Sequence, residues 1–225
     1  MTLAAGLEWE EVRAQSGLVG WRATHPAPRG GVLFLPGEGG PVVRSGEATR
    51  LLHAAGFTVV VVGLNWRADA RIDADGRGIG GPDAPAPTLA DHQVIADVTA
   101  ARAWLPVGSR FVVGVGSAGV YARVAGCAVM GLRGVISFGG RIWYSGVSAT
   151  RPIQPLDLLP GLACPLQAHV DEDDPDTPAE QIDELERRLS GVHQPWQVFR
   201  GPWRGRAAAP AWGRARNLLL HLSAG

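Results

Sequence analysis

Arg110-Phe-Val-Val-Gly-Val-Gly-Ser-Ala-Gly119 is the stretch on which the fold of this chain depends. Its first half is a continuous apolar run, the pattern of a strand buried on both faces of a sheet. Its second half is a glycine-rich turn leading into a helix. A strand entering a helix through such a turn leaves backbone N–H groups free at the helix start.

Outward from this stretch, apolar runs alternate with helical patterns, which predicts an α/β domain with a mostly parallel central sheet and helices on both faces. Upstream, Gly31-Val-Leu-Phe-Leu35 and Phe57-Thr-Val-Val-Val-Val-Gly-Leu64 read as strands flanking a helix over about 45–55. Residues 65–88, rich in Gly, Pro, Asp and Arg, predict a lid-like loop, followed by an amphipathic helix to about Leu105. Downstream, 134–138, 165–170 and 196–199 are expected strands, with helices over 178–190 and 211–222. Residues 1–30 are expected to add an antiparallel extension at the sheet edge, and the 225 residues to form a single domain.

The charge balance of 21 basic against 21 acidic side chains argues against nucleic acid or an acidic membrane surface as partner. No apolar run approaches the roughly 20 residues of a membrane helix. The first ten residues are acidic and lack the basic start of a secretory signal, so a cytoplasmic location is expected. The two cysteines form neither a disulfide framework nor a metal cluster. No cofactor is implied. The richness in Ala, Gly, Arg and Pro points to a GC-rich bacterial genome.

Three segments carry a family resemblance: Leu51-Leu-His-Ala-Ala-Gly-Phe-Thr-Val-Val-Val-Val-Gly-Leu64, Asp97-Val-Thr-Ala-Ala-Arg-Ala-Trp-Leu105 and Cys164-Pro-Leu-Gln-Ala-His-Val-Asp-Glu-Asp-Asp-Pro-Asp-Thr-Pro178. In order and content they resemble the dienelactone hydrolases, a family of the α/β-hydrolase superfamily. The resemblance runs from about residue 30 to the end and implies the α/β-hydrolase fold. It also implies a nucleophile in the turn after Arg110–Val115, an Asp partner and a His near the C-terminus. Matching Gly114 and Gly119 without a gap puts Gly116 at the nucleophile position, Asp174 at the acid and Arg204 at the histidine. The family's Glu after the first core strand falls on Gly37, with Glu38 next to it. Only Asp174 keeps the family's residue.

Shifting the register by one places Ser117 at the turn instead, with branched Val115 where the family has Gly. Ser117 is then a candidate nucleophile; its alternative role is to cap the following helix. A serine needs a base, and the site of an open parallel sheet lies at the carboxyl ends of its strands. That placement leaves His92, at the start of the helix after the lid, as the histidine able to approach from above. Its alternative is a solvated first-turn residue. His169 reads as a packed core histidine.

Trp203 and Arg204 lie on the loop expected to carry the histidine. Trp66 and Arg67 follow the Phe57–Leu64 strand, and Arg141, Trp143 and Tyr144 follow the 134–138 strand. Aromatics and arginines around one cleft suit a planar or anionic small molecule, through stacking and charge-assisted hydrogen bonds. Alternatively, Arg204 pairs with Asp174 and fills the gap. Three functions remain open. The leading one is a repurposed small-molecule enzyme catalysing non-hydrolytic cyclisation, isomerisation, elimination or lactone chemistry. The second is a serine esterase or lactonase using Ser117 and Asp174. The third is a non-catalytic, hydrolase-like binding protein.

Overall fold

The longest strand among the described residues is built around four consecutive valines. In Val59-Val-Val-Val62 every side chain is sealed from solvent, as expected of β-branched residues packed on both faces of a sheet. A computed structural model describes residues 6–37, 46–67, 90–149, 151–174 and 177–225; the side chains of 65–67, 206 and 207 are outside the description. Among the described residues the strands are β1 (Glu10–Arg13), β2 (Leu18–Ala23), β3 (Gly30–Leu35), β4 (Phe57–Arg67), β5 (Arg110–Val115), β6 (Gly134–Phe138), β7 (Leu166–Val170) and β8 (Trp196–Arg200). They form one sheet in the order β1-β2-β4-β3-β5-β6-β7-β8. β1 and β2 pair antiparallel, β2 pairs antiparallel with β4, and every other pairing is parallel.

The period-2 alternation of the strands divides the core between two helical layers. Leu33, Leu35, Val60, Val62 and Val112 face α2 (Asp91–Ala101), α3 (Gly119–Ala128) and α4 (Ala179–Leu189), whose Val94, Val98, Ala122, Ala125, Ile182 and Leu185 complete that layer. Val32, Phe34, Val59, Val61 and Val113 face α1 (Gly46–Ala54) and α5 (Ala209–Ser223), through Leu52, Ala211, Ala215 and Leu219. α4 buries Ile182, Leu185 and Leu189 and turns Glu184, Arg187 and Arg188 outward, where they pair.

The N-terminal hairpin takes the expected edge position. β4 runs three residues further than its apolar pattern predicts, because Arg67 pairs with Leu18 past a register shift in β2. Asn65, Trp66 and Arg67 therefore belong to a strand, and not to the loop expected over 65–88. The rest of that expected loop, residues 68–88, lies outside the described residues. The helix after it begins at Asp91 and ends at Ala101, where a short 3-10 turn (Arg102–Trp104) takes over.

Candidate functional site

β3 and β5 are neighbours, and their carboxyl ends meet backbone to backbone. A Cβ on Gly37 would lie 2.4 Å from the Val115 carbonyl oxygen and 3.0 Å from the Ser117 nitrogen. β5 then turns sharply into α3. The turn residue with positive φ is Gly116, at 60°, a left-handed conformation in which glycine meets no Cβ penalty. Gly116, Ser117 and Ala118 form a 3-10 turn before α3 begins at Gly119. The junction is held by close approach: a Cβ on Gly114 would sit 2.3 Å from the Ala118 oxygen, and one on Gly119 2.2 Å from the Gly139 oxygen. At Gly116, by contrast, a Cβ would meet, among the described residues, only the Gly37 Cα, at 3.7 Å.

Ser117 is exposed at this turn. The helix cap foreseen as its alternative role is not what the structure shows. Ser117 lies inside the 3-10 turn, and Ala118 takes the cap position of α3 without a side-chain hydrogen bond.

The second part of the site comes from the loops after β7 and β8. The Asp174 N–H donates to the Asp171 carbonyl at 3.1 Å, closing the turn that carries Asp174. Arg200, at the end of β8, ties that turn to α4 by pairing with Glu172 (3.1 Å), Asp183 (2.6 Å) and Glu186 (2.7 Å). Arg204 Nη2 lies 3.0 Å from Asp174 Oδ2; the carboxylate side chain is 8% exposed and the guanidinium side chain 58%. The Arg204 guanidinium also stacks 4.3 Å above the Trp203 ring. Trp203 is buried and presses on Gly139, where a Cβ would fall 2.3 Å from its ring. Its indole nitrogen finds no hydrogen-bond partner among the described residues. A line of contacts thus runs from Arg204 through Trp203 and Gly139 to Gly119 at the turn.

Beneath the turn lies a residue that the sequence reading missed. Arg123 of α3 is buried, and its guanidinium donates to Ser137 Oγ (3.1 Å) and to the carbonyls of Gly139 (3.1 Å), Gly140 (3.1 Å) and Arg141 (2.6 Å). Burial lowers its pKa to about 10, which still leaves it charged at neutral pH. Those four acceptors fix the Gly139–Gly140 turn against the start of α3. The signal available in sequence was a lone cation among the apolar residues of Val120-Tyr-Ala-Arg-Val-Ala125.

The remaining expected site residues are dispersed. Tyr144 is buried against Val120 and Val124 of α3, and its hydroxyl donates to Asp91 Oδ1 at 2.7 Å. Arg151 lies 4.4 Å above its ring. Tyr144 therefore joins the loop after β6 to the start of α2 instead of offering its hydroxyl to a cleft. Trp143 is 38% exposed on the same loop, and His92 is exposed in the first turn of α2. Trp66 and Arg67 end β4, at the carboxyl edge, with side chains outside the description; Glu38 lies outside the described residues.

His169 of β7 is the packed histidine anticipated from its strand. It is sandwiched between Phe138 (4.6 Å) and Phe199 (5.2 Å). Its Nε2 lies 3.1 Å from Gln167 Oε1, while Gln167 Nε2 donates to Gln197 Oε1 at 3.3 Å. Burial, with a smaller contribution from Arg214, lowers its pKa to about 4 and keeps the ring neutral. Among the described residues no group of three or more His, Cys, Asp or Glu side chains is placed to hold a metal ion. No helix among them is long and apolar enough to cross a membrane.

No protein-family model and no curated protein sequence matches the chain. Solved structures do match its shape. A protein of Klebsiella pneumoniae subsp. pneumoniae named after dienelactone hydrolase superposes with a TM-score of 0.78 at 14% identity, covering 96% of this chain and 99% of the other. The dienelactone hydrolase of Anabaena variabilis gives 0.68 at 18% identity over 96% and 98%. A dienelactone hydrolase-like promiscuous phosphotriesterase from metagenomic libraries gives 0.73 at 15% over 96% and 98%. With the strand order, the antiparallel β2 and the glycine-built turn between β5 and α3, these likenesses establish that the chain has the α/β-hydrolase fold, in the form shared with dienelactone hydrolases.

Proposed function

We propose that this chain is an enzyme acting on a small organic molecule at the carboxyl edge of its sheet, without forming an acyl-enzyme. The observation that carries the reading is Gly116 at φ 60° in the turn between β5 and α3. In an α/β-hydrolase fold this sharp turn is where the nucleophile is exposed, and glycine has no side chain to attack with. The Asp174–Arg204 pair supports the same reading, since the carboxylate that would orient a histidine holds a permanent cation.

The remaining groups suit charge stabilisation. The backbone N–H groups at the start of the Gly116–Ala118 turn, close to Gly37, are an oxyanion-type cradle for a developing enolate or alkoxide. Arg204, steered by Asp174 and by the Trp203 ring, supplies a charge-assisted donor to a carboxylate or carbonyl oxygen. Together they would orient a planar or anionic substrate and polarise its carbonyl. That role suits cyclisation, isomerisation, elimination or lactone chemistry.

One observation favours a second reading: Ser117 is exposed at the same turn, as a serine esterase or lactonase would need. A fluorophosphonate probe and p-nitrophenyl acetate separate the two. On the leading reading the native protein takes no label, Ser117→Ala behaves identically, and turnover in a panel of enol lactones and unsaturated carboxylates is lost in Arg204→Ala. Labelling that disappears in Ser117→Ala would establish the serine reading instead. Absence of any turnover across the panel would leave a binding protein.

A further inference from the structure

β8 is the last strand of the sheet, and α5 does not close over it. Between them run two adjoining surface cavities, open to solvent, of about 200 and 300 Å³. The first is lined by His169, Phe199, Gly201, Pro202 and Arg214, among others; the second continues past Gln167, Gln197, Asn217 and His221. They lie on the α5 side of the sheet, behind the loop that carries Arg204.

We infer that this cleft is a second binding site, for a small planar organic acid that also carries a hydroxyl or amine donor. Two groups define its chemistry. Arg214 stacks its guanidinium 4.7 Å above the Phe199 ring and forms no ion pair among the described residues. A carboxylate is the group that a guanidinium on an aromatic face binds best, with geometric fit as well as charge. His169 is only 2% exposed and lines the first cavity. Gln167 donates its amide N–H to Gln197, so its Oε1 accepts from the His169 Nε2–H. The tautomer is thereby set, and Nδ1 is left with its lone pair and no hydrogen bond among the described residues. A ligand O–H or N–H entering the cleft would donate to this lone pair. Phe199, stacked by His169 and covered by Arg214, is an apolar member of the lining of both cavities.

4-Hydroxybenzoate is a suitable probe, titrated calorimetrically against the full chain at pH 7. Saturable binding is expected at or below about 1 mM. Arg214→Ala should weaken it about tenfold or more, by removing a charged hydrogen bond. His169→Phe keeps the stack with Phe138 and Phe199 but removes the acceptor, and should weaken it about fivefold. Benzoate, which lacks the hydroxyl, should bind both the native protein and His169→Phe equally weakly. Arg204→Ala, at the catalytic edge, should leave the affinity unchanged, so failure here is distinct from failure of the proposed function. Circular dichroism confirms that each variant is folded. No saturable binding to about 10 mM, or affinity unchanged in Arg214→Ala, overturns the site.

Discussion

The two sides of the carboxyl edge are built differently. On the β5–β6 side the backbone packs on itself, with Gly114, Gly119 and Gly37 in contacts that no Cβ fits and Arg123 holding four acceptors from below. On the β7–β8 side the contacts are made by long side chains: Arg200 gathers three carboxylates, Arg204 takes Asp174, and open space remains behind Phe199. The contrast separates backbone packing, which fixes the turn, from side-chain pairing, which positions the loops after β7 and β8. Close backbone packing fixes the turn around Gly116 and Ser117. Side-chain pairing lets Arg204 stand in a loop without disturbing the strands around it.

This comparison makes the packed side the place where a small change does most harm. Gly119→Ala should lower stability by about 3 kcal/mol, the upper end for overpacking, because its methyl would meet the backbone carbonyls of Gly139 and Phe138. A loss in urea unfolding of under about 1 kcal/mol would show that the turn yields, and would remove the contrast.

His169 gives the next effect, on the open side. Its folded pKa of about 4 lies below the ordinary 6.5, so between those values the unfolded chain binds the proton that the folded one excludes. Stability therefore rises with pH across that window and is lost as pH falls through it, by about 3 kcal/mol in all. From pH 7 to 4.5 the urea midpoint of the native protein should fall relative to that of His169→Phe; parallel curves would mean that the ring is already accessible to protons.

Arg204→Ala should cost about 1–2 kcal/mol, between the values for exposed pairs and for buried ones, as it leaves Asp174 with the pair broken in a mostly buried position. Arg204→Lys should cost less, and equal melting temperatures for the two variants would count against the pair. Smallest of all, Ser117→Ala should change stability by under about 0.5 kcal/mol, since the side chain is exposed and caps no helix. A larger loss would mean that its hydroxyl supports the turn.

The fold was legible in the sequence because its signals are local: continuous valine runs for β4 and β5, and a glycine-rich junction before α3. The Asp174–Arg204 pair was legible as one of two alternatives, since matched segment order placed both residues at neighbouring loop ends. What stayed hidden depends on contacts between distant segments. Tyr144 looked like a cleft aromatic, yet its partner Asp91 is 53 residues away. Arg123 acts through carbonyls 16 to 18 residues downstream, which no spacing rule reveals. The continuation of β4 to Arg67 rests on a shifted pairing with Leu18, and not on any apolar pattern in Asn65-Trp-Arg67.

The space above Gly116 has a genetic consequence. Among the described residues a new Cβ there approaches nothing nearer than the Gly37 Cα at 3.7 Å, so the obstacle they leave to a side chain is conformational, about 1–3 kcal/mol for a positive φ. A glycine codon written GGC becomes serine or cysteine by a single base change. Such a change would place a hydroxyl or a thiol at this turn, and a one-codon library at Gly116 would reveal what chemistry the scaffold accepts.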